Sequence, residues 1–105
     1  MDNEMQPGQE FYSVATGRFD PFQRASRKAV EYMTELEGLV GIHTEPRSGN
    51  LLWFFDTENH AKQGRNLAEA KGIQCGTNIC RFIIAPDGVP EFDEEWARAH
   101  GMEED

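Results

Sequence analysis

The spacing of hydrophobic and polar side chains predicts six main secondary-structure elements and a shorter seventh. Strand-like segments, in which apolar residues alternate with polar ones or run together, are residues 11–18, 39–46, 51–57 and 75–85. Two other segments, 22–37 and 58–71, place apolar or small residues every three or four positions, which is the period of an α-helix. Residues 91–100 show the same spacing over a shorter length. The predicted order is β-α-β-β-α-β followed by a short helix.

Local signals mark where the two long helices begin and end. Asp20-Pro21 predicts the start of the first helix, because Asp caps a helix and Pro fits its first turn, and Gly38 predicts its end. Thr57 predicts the N-cap of the second helix, which we expect to end at Gly72. The residues predicted to face the core are Phe22, Ala25, Ala29, Met33 and Leu36 in the first helix and Ala61, Gly64, Leu67 and Ala68 in the second.

This element order indicates an α+β fold of the ferredoxin-like type, a four-stranded antiparallel sheet with both long helices on one face. We expect one domain over residues 11–90, flanked by an acidic N-terminal extension at 1–10 and an acidic C-terminal helix or tail at 91–105. The Pro-Asp-Gly sequence at 86–88, together with Pro90, is expected to end the last strand. Because this architecture carries many unrelated functions, the function must be inferred from particular side chains.

The chain is acidic, but its charge is concentrated at its two ends. It has 105 residues and a formal net charge of −9. Residues 1–10 contain three acids and no base, and residues 91–105 contain seven acids and one base, so residues 11–90 carry nine of each. Proteins that bind nucleic acid usually have a basic surplus, which disfavours nucleic acid as a partner. We expect the acidic ends to keep the protein soluble.

Two further features lead us to expect a cytoplasmic protein without a membrane partner. The N-terminal residues lack the basic region and the apolar run of a secretory signal, and the longest apolar run, Leu51–Phe55, is too short to span a bilayer. The two cysteines, Cys75 and Cys80, are too few for a disulfide framework and suit a reducing compartment.

The most apolar strand, residues 51–57, supplies the first candidate binding residues. Its side chains alternate in direction, so that one of two pairs lies on the sheet face opposite the helices. The two pairs are Trp53 with Phe55 and Leu52 with Phe54. We expect that face to be covered by a terminal segment or, as the functional alternative, to contact a protein partner or a second copy of the chain.

The same strand carries a resemblance to a known family. Residues Gly49–Ala61, an aromatic strand that runs into a capped helix, resemble the third strand and second helix of RNA-recognition motifs. The basic-Gly-aromatic opening of that motif is replaced here by Ser48-Gly49-Asn50-Leu51. The resemblance implies, as a third functional alternative, an RNA-binding domain that stacks bases on its sheet.

A cluster of basic residues lies near the start of the first predicted helix. Its members are Arg18, Arg24, Arg27 and Lys28. The free N–H groups at a helix start attract anions, so these residues predict an anion site. The alternatives are an ordinary solvated face and a docking site for the chain's own acidic tail.

The C-terminal segment combines two aromatic residues with many acids. Phe92 and Trp96 are four positions apart, so both lie on one face of the predicted helix. If the segment folds back, these rings pack on the domain. If it stays loose, they are available to bind a protein partner.

No arrangement of residues in this chain predicts catalysis, a cofactor or a metal ion. Cys75 and Cys80 are five apart and would face opposite sides of an unbroken strand, and the three histidines lack the close spacing of a zinc site. No serine lies in a nucleophile motif. We therefore expect a non-catalytic protein that acts by protein–protein contact, as a homodimer or an adaptor. The alternative is a regulatory domain that senses a small ligand or an anion.

Overall fold

The computed structural model describes residues 6–76 and 78–99, which form an α+β fold built on one antiparallel sheet. In chain order the elements are β1 (Glu10–Arg18), α1 (Arg24–Met33), β2 (Leu39–Thr44), β3 (Asn50–Phe55), α2 (Glu58–Ala70), β4 (Cys80–Ile84), β5 (Pro90–Phe92) and α3 (Glu94–Ala99). The strands lie side by side in the order β2-β3-β1-β4-β5, and each neighbouring pair is antiparallel. None of these three helices has the length and apolar character needed to cross a membrane.

The α+β class is confirmed, but the sheet has five strands where four were predicted. After β4, Gly88 N donates to Ala85 O at 2.8 Å and Ala85 N donates to Val89 O at 2.9 Å. The chain therefore turns back, and Pro90–Phe92 pairs with β4 instead of ending the sheet. Proline is tolerated there because β5 is an edge strand of the described sheet and has a partner on one side only.

The strand predicted at residues 75–85 is shorter than expected. Cys75 forms only an isolated bridge with Thr16 of β1, and regular pairing begins at Cys80. The two cysteines therefore do not lie on one strand, and the expectation of opposite facing on an unbroken strand does not apply to them.

Helix α1 begins later and ends earlier than predicted. Asp20 does not cap it, because Asp20 Oδ1 accepts a hydrogen bond from Phe22 N in a separate turn. Gln23 occupies the N-cap position without a side-chain hydrogen bond. At the other end, Leu36 N donates to Met33 O in a tight turn, so the helix stops three residues before Leu36. The late start leaves the beginning of α1 away from the core.

The prediction of which helix residues face the core is partly wrong. Met33, Ala61, Gly64 and Ala68 are buried as predicted. Phe22, which precedes α1, is 91% exposed, and Ala25 in its first turn is also exposed. On α2, Leu67 is 50% exposed, because only the Ala61, Gly64 and Ala68 side of that helix faces the sheet. Thr57 caps α2 as predicted, its Oγ1 accepting from the His60 backbone N–H at 3.1 Å.

The two faces of the sheet each carry an apolar cluster. On the side that bears the helices, Trp53 and Phe55 pack with Val14 and Met33. On the opposite side, Phe54 packs with other rings and with Leu52. Of the two arrangements open from the sequence, the strand therefore adopts the one with Leu52 and Phe54 on the face opposite the helices.

Candidate functional site

A cleft lies between α1 and the sheet, and its size and lining suit a small ligand. It encloses about 450 Å³ and is lined by Arg18, Phe19, Val30, Ile42, Thr44, Gly49, Leu51 and Trp53. Small-molecule sites in proteins are typically concave, mostly apolar and of this order of size. Val30 is the α1 residue in this lining, and the other lining residues come from β1, β2, β3 and the positions just outside those strands.

The cleft continues along α1 towards the end of α2. A second cavity of about 370 Å³ shares Arg18, Val30, Leu51 and Trp53 with the first and extends to Gly72–Gln74. A third cavity, also of about 370 Å³, lies next to it and is lined by Ala25, Lys28, Tyr32, Lys71, Gly72 and Ile73. We call the three together the α1 groove. It runs from the β2 edge of the sheet to the C-terminal end of α2.

The charges that line the α1 groove all have one sign. Arg18, Lys28 and Lys71 line it, and no aspartate or glutamate does. Lys71 lies over the Tyr32 ring, with Nζ 5.5 Å from the ring centroid. The only charged side chains that line the groove are therefore basic, although the chain as a whole is acidic. These positive charges attract a negatively charged ligand, so the groove favours an anion.

Arg18 is the charged side chain closest to the apolar part of the groove. It forms no salt bridge within residues 6–76 and 78–99. Its side chain lies against Gly49, where an added Cβ would come within 2.9 Å of Arg18 Nε. The pairing of β1 with β3 is irregular between Thr16 and Arg18, and such bulges commonly redirect a side chain. Glycine at position 49 and this bulge together give the guanidinium group its place in the cleft.

The floor of the cleft is held in a fixed position. Trp53 is only 1% exposed, and its indole Nε1 donates to Thr16 Oγ1 at 2.9 Å. This bond joins β3 to β1 directly beneath the cavity. A ligand in the cleft would therefore rest on a surface that is already ordered before binding.

The four basic residues predicted from the sequence to bind an anion separate into different surroundings. Arg18 lines the apolar cleft, and Lys28 lines the third cavity of the groove. Arg27 Nη1 donates to the Pro21 carbonyl oxygen at 2.7 Å, which ties it to the turn before α1. Arg24 is exposed and lines none of the three cavities. The groove, rather than the helix start alone, brings two of the four into one concave surface.

Sequence reasoning missed the apolar lining of the cleft, in particular Phe19, Val30 and Ile42. Phe19 and Ile42 are 43% and 44% exposed. Their positions carry no motif, and they come together only when β1, β2 and α1 are arranged around β3.

The aromatic face opposite the helices is a second candidate surface, but its central ring is not accessible. Phe54 has no exposed surface, and its ring centroid lies 6.4 Å from that of Phe11, 5.2 Å from Phe82 and 6.2 Å from His43. Phe92 at the β5 end of this face is 39% exposed and contacts Phe82 edge-on at 5.7 Å. Base stacking needs an exposed ring, so the RNA-binding alternative finds no platform at Phe54.

The described part of the C-terminal segment is packed on the domain. Phe92 belongs to β5, and α3 begins only at Glu94, so the prediction that Phe92 and Trp96 share one helix face is wrong. Trp96 in α3 meets the Tyr12 ring edge-on, with the ring centroids 6.0 Å apart. Arg81 forms salt bridges with Glu10 and with Asp93, joining β4 to β1 and to the start of α3. The predicted helix also included residue 100, which lies outside the described residues.

The remaining titratable side chains of interest are His60, Cys75 and Cys80. His60 Nδ1 lies 2.6 Å from Asp56 Oδ1, and this hydrogen bond raises the pKa of His60. No hydroxyl or thiol group among the described residues is hydrogen-bonded to the His60 ring. Burial raises the pKa of the Cys75 and Cys80 thiols, which makes both poor nucleophiles at neutral pH. No group of three or more potential ligand side chains in this part of the chain is arranged to hold a metal ion.

Comparison of the chain with protein families, with curated proteins and with solved structures finds no match.

Proposed function

We propose that the protein is a non-catalytic binding protein whose ligand is a small amphipathic anion held in the α1 groove. The observation that carries this proposal is the apolar cleft with Arg18 as its charged member and no carboxylate in its lining. A ligand with an apolar body and one carboxylate or phosphate head group matches this arrangement. The body would contact Val30, Ile42 and Leu51, and the head group would meet the guanidinium of Arg18.

The proposal refines the sequence-based alternative of a regulatory domain that senses a small ligand or an anion. The anion was expected at the start of the first helix. The groove instead offers apolar contacts beside the charge, and apolar burial contributes about 25 cal/mol per Å² of surface removed from water. A bare anion at an exposed arginine gains little by comparison, since exposed ion pairs contribute about 0–1 kcal/mol.

A set of three probes with one eight-carbon tail tests the proposal: octanoate, octanol and octylamine. The indole N–H signals of Trp53 and Trp96 in a ¹H–¹⁵N NMR spectrum report the site and a remote control. We expect octanoate to shift the Trp53 signal and to leave the Trp96 signal in place, with octanol binding more weakly and octylamine weakest. Absence of any Trp53 shift with all three probes would contradict ligand binding in the cleft.

The charge contribution is tested by Arg18→Gln, with Arg98→Gln on the exposed end of α3 as a control of equal charge change. Loss of one exposed charge-assisted contact costs about 1 kcal/mol, or roughly a five-fold rise in Kd. We expect Arg18→Gln to weaken octanoate by this factor and to leave octanol unchanged, and Arg98→Gln to affect neither. Equal effects of the two variants would show that the groove recognises only the overall charge of the protein.

We also infer that the fold is of the ferredoxin-like type with additions. The element order β-α-β-β-α-β and the strand order β2-β3-β1-β4 support this assignment. On this interpretation β5 and α3 are a C-terminal addition to the edge of the sheet. A cytoplasmic location stays a prediction from the sequence.

Contact with another protein, the leading expectation from the sequence, does not exclude ligand binding. It is supported by the edge of β2, which has one neighbour in the described sheet and borders the cleft, and not by the buried ring of Phe54.

A further inference from the structure

The two edges of the described sheet differ in how well they are protected against pairing with another strand. The β5 edge is three residues long and contains Pro90 and Glu91. Proline, charge and short length are the usual means of preventing edge-to-edge association. The β2 edge, Leu39–Thr44, has six residues with neither proline nor a charged side chain, and its register irregularity, between Leu39 and Gly41, leaves Ile42–Thr44 regularly paired. It has only β3 as a neighbour in this sheet.

The hydrogen-bonding phase of β2 shows which of its backbone groups face outward. Glu45 N donates to Asn50 O at 2.8 Å, so this pair is hydrogen-bonded. Antiparallel pairs alternate between hydrogen-bonded and non-hydrogen-bonded positions. The backbone N–H and C=O groups of His43, which is paired with Leu52, are therefore directed towards β3. The backbone N–H and C=O groups of Ile42 and Thr44 are directed away from β3.

The side chains along this edge suit an apolar contact. Ile42 is 44% exposed and Phe19, which lines the same cavity, is 43% exposed. The nearest acid on the chain, Glu45, is directed into its own turn, where Oε1 accepts from Arg47 N, Ser48 N and Ser48 Oγ at 2.8–3.0 Å. These hydrogen bonds hold the Glu45 carboxylate within the turn, which limits repulsion between two such edges.

We propose that two copies of the chain pair antiparallel along β2 to form a continuous ten-stranded sheet. In the pairing that sets Ile42 of each copy opposite Thr44 of the other, the outward N–H and C=O groups of both residues form four new hydrogen bonds. The two Ile42 side chains are then diagonal neighbours across the axis, on the helix-bearing side of the sheet. A two-fold axis between His43 of the two copies makes the edge self-complementary.

This pairing also bears on the cleft beside Arg18. Ile42 and Thr44 line that cleft, so a second copy at the β2 edge adds a strand next to its open side. The surface proposed to bind an anion and the surface proposed to bind a second copy therefore share the Ile42 side chain. Their polar contacts differ, because the Arg18 guanidinium meets the anion and backbone N–H and C=O groups pair with the second copy.

Sedimentation equilibrium over a concentration series tests the proposal, with Ile42→Lys as the variant at the edge. We expect the unchanged chain to form dimers, and we expect Ile42→Lys to raise the dimer dissociation constant by more than about ten-fold. The two lysines would lie diagonally across the axis, where long side chains of like charge still reach and repel each other. Leu67→Lys is the matched control, since Leu67 is a similarly exposed apolar residue on α2, and it should leave the dimer unchanged.

Circular dichroism is used to check that each variant is folded. Thr44→Lys is a second variant at the same edge. A chain that remains monomeric at every concentration would overturn the proposal. A dimer that tolerates both edge lysines but is lost in Phe92→Lys would overturn it as well, because the interface would then be the aromatic face of the sheet.

Discussion

Replacement of Gly64 by alanine tests how closely α2 lies on the sheet. Alanine inside a helix normally stabilises by about 1 kcal/mol relative to glycine. Here the added Cβ would lie 2.7 Å from Cζ and 2.9 Å from Cε2 of Phe55, whose ring is fully buried. Overpacking a filled core costs about 1–3 kcal/mol. We therefore expect Gly64→Ala to lower the free energy of unfolding by about 1 kcal/mol.

Urea denaturation followed by circular dichroism measures this change. A loss of about 1 kcal/mol corresponds to a fall in Tm of roughly 4–8 °C for a domain near this size. The matched control is the same substitution in a Phe55→Leu background, where it should stabilise by up to about 1 kcal/mol because the ring is absent. If Gly64→Ala stabilises the otherwise unchanged chain, the reasoning is refuted, since α2 would then be free to move away from Phe55 without cost.

Two further predictions concern the ends of α2 and of the chain. The hydrogen bond to Asp56 raises the pKa of His60 above its ordinary value of 6.5, so the charged His60 stabilises the fold below that pH. This contribution is lost as pH rises through the raised pKa. We expect the free energy of unfolding in urea to be greater at mildly acidic than at mildly alkaline pH, and we expect His60→Gln to reduce that difference. The same pH dependence in the variant would contradict this role of His60. For Trp96→Ala, we expect a Tm lowered by several degrees, consistent with about 1–2 kcal/mol for a half-buried aromatic. An unchanged Tm would mean that α3 contributes no stability through that ring.

The first helix shows why a strong local signal can mislead. Asp20-Pro21 has the residue types of a helix start, but Asp20 Oδ1 instead caps the N–H of Phe22 in a preceding turn. Aspartate stabilises both structures by the same hydrogen-bonding chemistry. By contrast, Thr57 caps α2 as predicted, and there the buried residues Ala61, Gly64 and Ala68 fix the helix on the sheet from its first turns.

The fifth strand and the cleft depend on contacts between residues that are distant in the sequence. Nothing local distinguishes Pro90 as the end of a strand from Pro90 at the start of an edge strand, because its pairing with Ile84 decides between them. Phe19 and Ile42 likewise come together only because β2 and β1 flank β3 in the folded sheet.

The sequence by itself determined the α+β class, the presence and order of the main helices and strands, and the concentration of negative charge at the ends. These properties depend on side-chain periodicity and composition, which are local. Only the tertiary structure decided which side of β3 carries Trp53 and that the ring of Phe54 is inaccessible. It also placed Arg18 in an apolar cleft and left the edge of β2 without a second neighbour in the described sheet. Strand parity, burial and cavities arise from the packing of distant segments, and one local period is compatible with several such packings.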